Sequence, residues 1–172
     1  VYYGSSITQG GCASRPGNCY QSILSREFDC NFINLGFSGN ARGENTMAEY
    51  IAGLDMSLFV YDYDHNANSA EELEKTHRPM FEKIRKSHPD LPIIMLSRPN
   101  YHNEGEVIRN NIIKETYESA KQIGDKSVWF IDGSIVPAIL GGDSITVDGT
   151  HPNDLGFMCM AKVIGNVMKD IL

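Results

Sequence analysis

Five short apolar runs, each followed by a polar loop and then by a helical stretch, constrain this chain more than any other feature. The runs cover residues 1–3, 32–35, 58–63, 92–97 and 128–131. Helical periodicity follows over 20–28, 46–54, 70–87, 105–123 and 154–172. Strands that alternate with helices predict a parallel sheet covered on both faces, because parallel neighbours need a crossover and the crossover is the helix. The fold class is therefore α/β, a three-layer α/β/α sandwich around a five-stranded parallel sheet. Ser69 reads as the N-cap of the helix over 70–87, with Leu73, His77, Met80, Phe81 and Ile84 turned inward. In the helix over 105–123 the inner face is expected to carry Val107, Ile108, Ile112, Tyr117, Ala120 and Ile123.

At 172 residues the chain suits one domain with a full core, and no repeat or linker divides it. The net charge of −7 argues against a nucleic-acid surface, which needs basic groups against phosphates. No apolar run approaches the ~20 residues of a membrane-spanning helix. The chain begins at Val1, inside a strand, which reads as a domain excised from something longer. Four cysteines stand at 12, 19, 30 and 159 without a C-x-x-C pair, so no zinc site is expected. Cys12 and Cys19 flank a short loop and could bridge if the protein is exported. Free thiols are favoured, since a core of this size needs no staple.

The polar loops carry the chemistry. In a parallel α/β sheet they line one edge, so residues 6, 39, 66 and 148–151 can converge although far apart in sequence. Asp148-Gly149-Thr150-His151 places an acid three residues before a histidine. A turn at Gly149 folds the carboxylate back onto His151 Nδ1, leaving Nε2 to act as a base toward a serine. Gly4-Ser5-Ser6, on the turn after the first strand, supplies such a serine. Gly142-Asp143-Ser144-Ile145-Thr146 offers another. Ser144 is set aside because it follows no strand and lies only four residues before Asp148.

These blocks resemble those of the SGNH/GDSL hydrolase superfamily, in its GDSL-like lipase/acylhydrolase subgroup. Gly4-Ser5-Ser6-Ile7-Thr8 is similar to the first block, with Ser5 where Asp is usual. Asn34-Leu35-Gly36-Phe37-Ser38-Gly39 resembles the glycine block, and Asp64-His65-Asn66-Ala67 keeps the Asn of the third. Asp148-x-x-His151-Pro152 with Gly156-Phe157 matches the last. The resemblance implies a flavodoxin-like SGNH hydrolase fold over 1–172, often preceded by a β-rich module. It implies Ser6 as nucleophile, His151 as base and Asp148 as orienter. The oxyanion hole would be the backbone N–H of Ser6 and Gly39 with the Asn66 amide. No cofactor or metal is called for.

The expected activity is that of a serine esterase working through an acyl-enzyme, on a short acyl group such as acetyl carried by a saccharide or other small substrate. Acyl transfer by the same triad is the alternative, and an inactive carbohydrate-binding domain the second. Arg42, Arg98 and Tyr101 lie on strand-end loops and are candidate substrate contacts. Asp62, Asp64 and His65 form a polar cluster that is either a metal or substrate site or a hydrogen-bonded support for the loop. Support is favoured, because buried polar groups usually pair with one another. His77, His88 and His102 are read as structural or surface residues. A secreted or periplasmic location is favoured over a cytoplasmic one.

Overall fold

A computed structural model describes residues 1–99, 104–139 and 142–172. Its sheet has five parallel strands, β1 (Tyr2–Gly4), β2 (Asn34–Gly36), β3 (Phe59–Asp62), β4 (Ile93–Leu96) and β5 (Val128–Ile131), in the order β2-β1-β3-β4-β5. Every neighbouring pair is parallel, and Gly4 is in register with both Gly36 and Asp62.

Period-two alternation in the strands divides the core into two layers. On one face Tyr2, Val60, Ile94 and Leu96 pack against α2 (Tyr20–Phe28) and α7 (Asp154–Met168), through Tyr20, Leu24, Phe157, Met160 and Ile164. On the other face Tyr3, Phe59, Tyr61, Ile93 and Met95 pack against α3 (Asn45–Ala52), α4 (Ala70–Ser87) and α5 (Glu104–Gln122). The result is the three-layer sandwich. Two single-turn helices, α1 (Ser6–Gln9) and α6 (Ile135–Ala138), sit in the strand-end loops. Among the described residues no helix is long and apolar enough to cross a membrane. All four cysteines are free thiols.

Ser69 caps α4 by accepting from Glu72 N at 3.2 Å, and all five residues expected inward on that helix are buried. His77 stacks on Tyr61 and bonds Thr116 Oγ1 through Nδ1, while His88 Nε2 meets Ala52 O at 2.9 Å. His102 lies outside the described residues.

The inner face of α5 differs from expectation. Val107, Ile108 and Ile123 are exposed, and the buried positions are Glu106, Asn110, Ile113, Thr116 and Ala120. Ile112 and Tyr117 pack only partly against the core. The helix is rotated so that its polar groups meet buried partners, Glu106 on Arg98 and Thr116 on His77. Leaving those partners unpaired would cost more than burying two further aliphatic side chains returns. Smaller shifts occur at element ends. The second strand begins at Asn34 rather than Phe32, α3 stops at Ala52 before Gly53, and α7 ends at Met168 rather than Leu172.

Candidate active site

The order β2-β1-β3 reverses the direction of winding at β1, so a crevice opens beyond the carboxyl ends of β1 and β3. Ser6 follows β1, Gly39 follows β2 and Asn66 follows β3. Ser6 is the first residue of α1, directly after its N-cap. That cap is Ser5, fully buried, whose Oγ accepts from Ile7 N at 3.2 Å. A hydroxyl in this position satisfies the helix end without burying the charge an aspartate would bring.

Ser6 Oγ lies 2.9 Å from His151 Nε2, and His151 Nδ1 lies 2.7 Å from Asp148 Oδ2. Asp148 Oδ1 also accepts from Thr150 N at 2.9 Å and His151 N at 2.7 Å, a turn made possible by Gly149 at φ +81°. The His151 hydrogen bonds and that from Thr150 N hold the Asp148 carboxyl down at about 2, although it is exposed. Asp148 is therefore an acceptor at neutral pH. It draws the proton of the neutral ring to Nδ1 and leaves Nε2 to accept from Ser6. The Asp–His loop is itself pinned, with Val147 N on His151 O at 2.9 Å and Asn153 N on Ile145 O at 3.0 Å. Gly156 lets α7 start hard against Ile145 O, where a Cβ would overlap it.

The glycine loop folds against the β1 exit, with Phe37 N donating to Gly4 O at 2.8 Å. Gly39 is exposed at φ +71°, a conformation side chains rarely adopt. Asn66 Nδ2 donates to Phe37 O at 3.0 Å, which draws the β3 exit to this same loop. The structure thus gathers Ser6, Asp148 and His151 in one hydrogen-bonded line, beside a loop pair carrying Gly39 and Asn66. Ser144 is exposed on a one-turn helix, where its carbonyl accepts from Asn153 Nδ2 at 2.8 Å.

The candidate substrate contacts fare unequally. Arg42 is half-buried, and its Nη2 reaches Gly39 O at 3.4 Å, so it lies against the glycine loop. Arg98 is turned inward, its side chain 13% exposed and paired with Glu106 at 2.5 Å. It serves the interior rather than an open rim, since a paired guanidinium is what burial requires. Tyr101 lies outside the described residues. Asp62, Asp64 and His65 diverge. Asp62 accepts from Thr8 Oγ1 and from Tyr20 OH, while Asp64 Oδ2 accepts from Arg98 N. Burial holds the His65 imidazole well below its ordinary value, with Arg98 and His151 adding to it. Among the described residues no three His, Cys, Asp or Glu side chains are arranged to hold a metal ion.

Two contributors lie outside the sequence motifs. Arg109 donates to Asp64 O at 2.6 Å and Ala67 O at 2.9 Å, and so holds the loop that bears Asn66. Asp154 accepts from Ser14 N and Oγ and from Asn18 Nδ2, tying the loop after α1 to the helix after His151. Only Asp154 was foreseeable as special, being acidic in a first helical turn.

No curated protein matches the sequence. Among solved structures, a protein described as a GDSL-like lipase from Bacteroides ovatus shares 38% identity at a TM-score of 0.87, over 99% of this chain and 52% of that one. A salicylyl-acyltransferase from a tetracycline biosynthetic pathway shares 19% at 0.84, over 98% of this chain and 53% of that one. A family two carbohydrate esterase from Clostridium thermocellum, in complex with cellohexaose, shares 16% at 0.78, over 98% of this chain and 62% of that one. The last two show the same fold. The chain spans about half the length of the first two proteins. The family model for GDSL-like lipases and acylhydrolases matches residues 1–169, and the chain belongs to that family.

Proposed function

We propose that residues 1–172 act as the catalytic domain of a serine esterase that works through a covalent acyl-enzyme. The observation that carries this reading is the continuous line from Ser6 Oγ through His151 Nε2 and Nδ1 to Asp148 Oδ2, at 2.9 and 2.7 Å. Ser6 Oγ attacks the ester carbonyl as His151 takes its proton. The tetrahedral oxyanion is held by the N–H groups of Ser6 and Gly39 and the free amide hydrogen of Asn66. Collapse expels the alcohol, which leaves with the proton from His151. Water, deprotonated by the same ring, then releases the acid and restores Ser6.

A short acyl group, such as acetyl on a saccharide, is the substrate we favour. The half-exposed His151 and exposed Asp148 support an alcohol moiety that stays outside the crevice. A carbohydrate esterase of the same fold, solved with cellohexaose, is compatible with it. If a sugar hydroxyl replaces water in the second step, the same groups transfer the acyl chain instead.

The test is hydrolysis of p-nitrophenyl acetate with Ser6→Ala and Ser144→Ala. Ser6→Ala should lose activity by about 10³-fold or more, and Ser144→Ala should remain within about twofold of wild type. Full activity in Ser6→Ala would overturn the assignment. A folded protein that a fluorophosphonate fails to label at Ser6 would point to a binding domain.

A further inference from the structure

The helix that presents Ser6 is four residues long, too short to be stable by itself. It is held from below through Thr8, which is fully buried. Thr8 O accepts from Gln21 Nε2 at 2.7 Å and from Asn34 Nδ2 at 2.8 Å. Thr8 Oγ1 donates to Asp62 Oδ1, and Tyr20 OH reaches Asp62 Oδ2 at 3.3 Å. Asp62 ends β3 in register with Gly4, and a Cβ at Gly4 would overlap both Asp62 Oδ1 and Thr8 Oγ1. The missing side chain at Gly4 is what lets the carboxyl reach under the turn. Asp62 is thus the one ionisable acid among the groups that fix this helix, and it is 5% exposed.

We propose that Asp62 is a positioning residue of the hydrolytic reaction, its buried carboxyl holding the Ser6 helix through Thr8. The proposal rests on the reading of Ser6 as nucleophile.

The groups that face Asp62 are Thr8 from α1, Tyr20 from α2 and Asp64 from the β3 exit loop, none of them a cation. Burial pushes the Asp62 carboxyl up to about 8 and Asp64 adds to that, while the hydrogen bonds from Thr8 and Tyr20 pull the other way. Protonated, the carboxyl keeps Oδ1 as the acceptor for Thr8, turns an Oδ2 hydroxyl to donate to the Tyr20 oxygen, and adds no charge near the reaction. Loss of that proton to solvent at higher pH leaves an unpaired negative charge one strand away from Ser6. The transition state there also gains negative charge, and like charges in a dry site repel strongly. Activity should therefore fall on the alkaline side.

The experiment measures kcat and KM for p-nitrophenyl acetate between about pH 6 and 10, with thermal unfolding in parallel, for wild type, Asp62→Asn, Asp62→Ala and Ser6→Ala. Wild-type kcat should decline above about 8, and Asp62→Asn, which keeps the acceptor and cannot ionise, should lack that decline. At pH 7, Asp62→Ala should lose about 100-fold in kcat with KM within about threefold, and Asn should restore most of it. An alkaline decline that is identical in wild type and Asp62→Asn overturns the proposal, even if the Ala variant does not fold. So does a folded Asp62→Ala with wild-type kcat. Activity retained by Ser6→Ala would instead remove the reading of Ser6 on which it rests.

Discussion

Replacing Asp62 by Asn should also change how stability depends on pH. An ordinary aspartate titrates at 3.8, and the buried Asp62 is pushed up to about 8. Below about pH 4 the carboxyl is protonated in both folded and unfolded chains and makes no pH-dependent difference. Between about 4 and 8 the unfolded chain releases the proton while the folded one keeps it. The native state then binds more protons, so stability falls as pH rises, by up to about 1.4 kcal/mol per unit. At pH 7 the span from 3.8 is about three units, which amounts to about 4 kcal/mol. Above about 8 both states are ionised and the penalty stops growing. Asn does not titrate, so urea unfolding of wild type and variant should diverge across this window, with the variant gaining as pH rises. Trp129, the single tryptophan, packs against the core and reports the transition by fluorescence. Titrating groups remote from Asp62 are common to both proteins and cancel in the difference; Asp64, which titrates at about 6 and is coupled to Asp62, does not cancel fully. A difference that stays flat between about pH 5 and 8 would refute a neutral, buried Asp62.

Two further outcomes follow from the same geometry. Gly4→Ala should lower the urea midpoint by the equivalent of about 2–3 kcal/mol, because its methyl has no room between the buried Asp62 and Thr8 side chains. An unchanged midpoint would mean that the strand end tolerates a side chain. Asp148→Asn should fold as wild type, being exposed, yet lose about 10²–10⁴-fold in kcat. Its amide would face His151 Nδ1 with a donor and drive the ring proton to Nε2. Wild-type kcat in that variant would deny Asp148 its orienting role.

The strands, the covering helices and the Asp148-x-x-His151 turn were all legible in the chain because each is a local pattern. Continuous apolar runs declare strands buried on both faces, and Ser69 declares the start of α4 by the shape of its side chain. The inner face of α5 is not legible in the chain for a related reason. Counting apolar residues favoured Val107 and Ile108, whereas Glu106 and Thr116 turn inward to partners from elsewhere in the chain. Arg98 stands out in sequence as a candidate substrate contact because nothing beside it announces Glu106.

The sequence by itself determined the layer order and the side chains that reach one edge of the sheet. It could do so because hydrophobic periodicity and turn chemistry act over a few residues. Only the tertiary structure decided the pairings. These are Ser6 on His151, Thr8 on Asp62, Asn66 on the glycine loop and Arg109 on the loop that carries Asn66. Each joins groups from different strands or helices, so its existence depends on strand register and helix rotation. In a buried layer, polar groups must be satisfied, and that requirement selects the final arrangement.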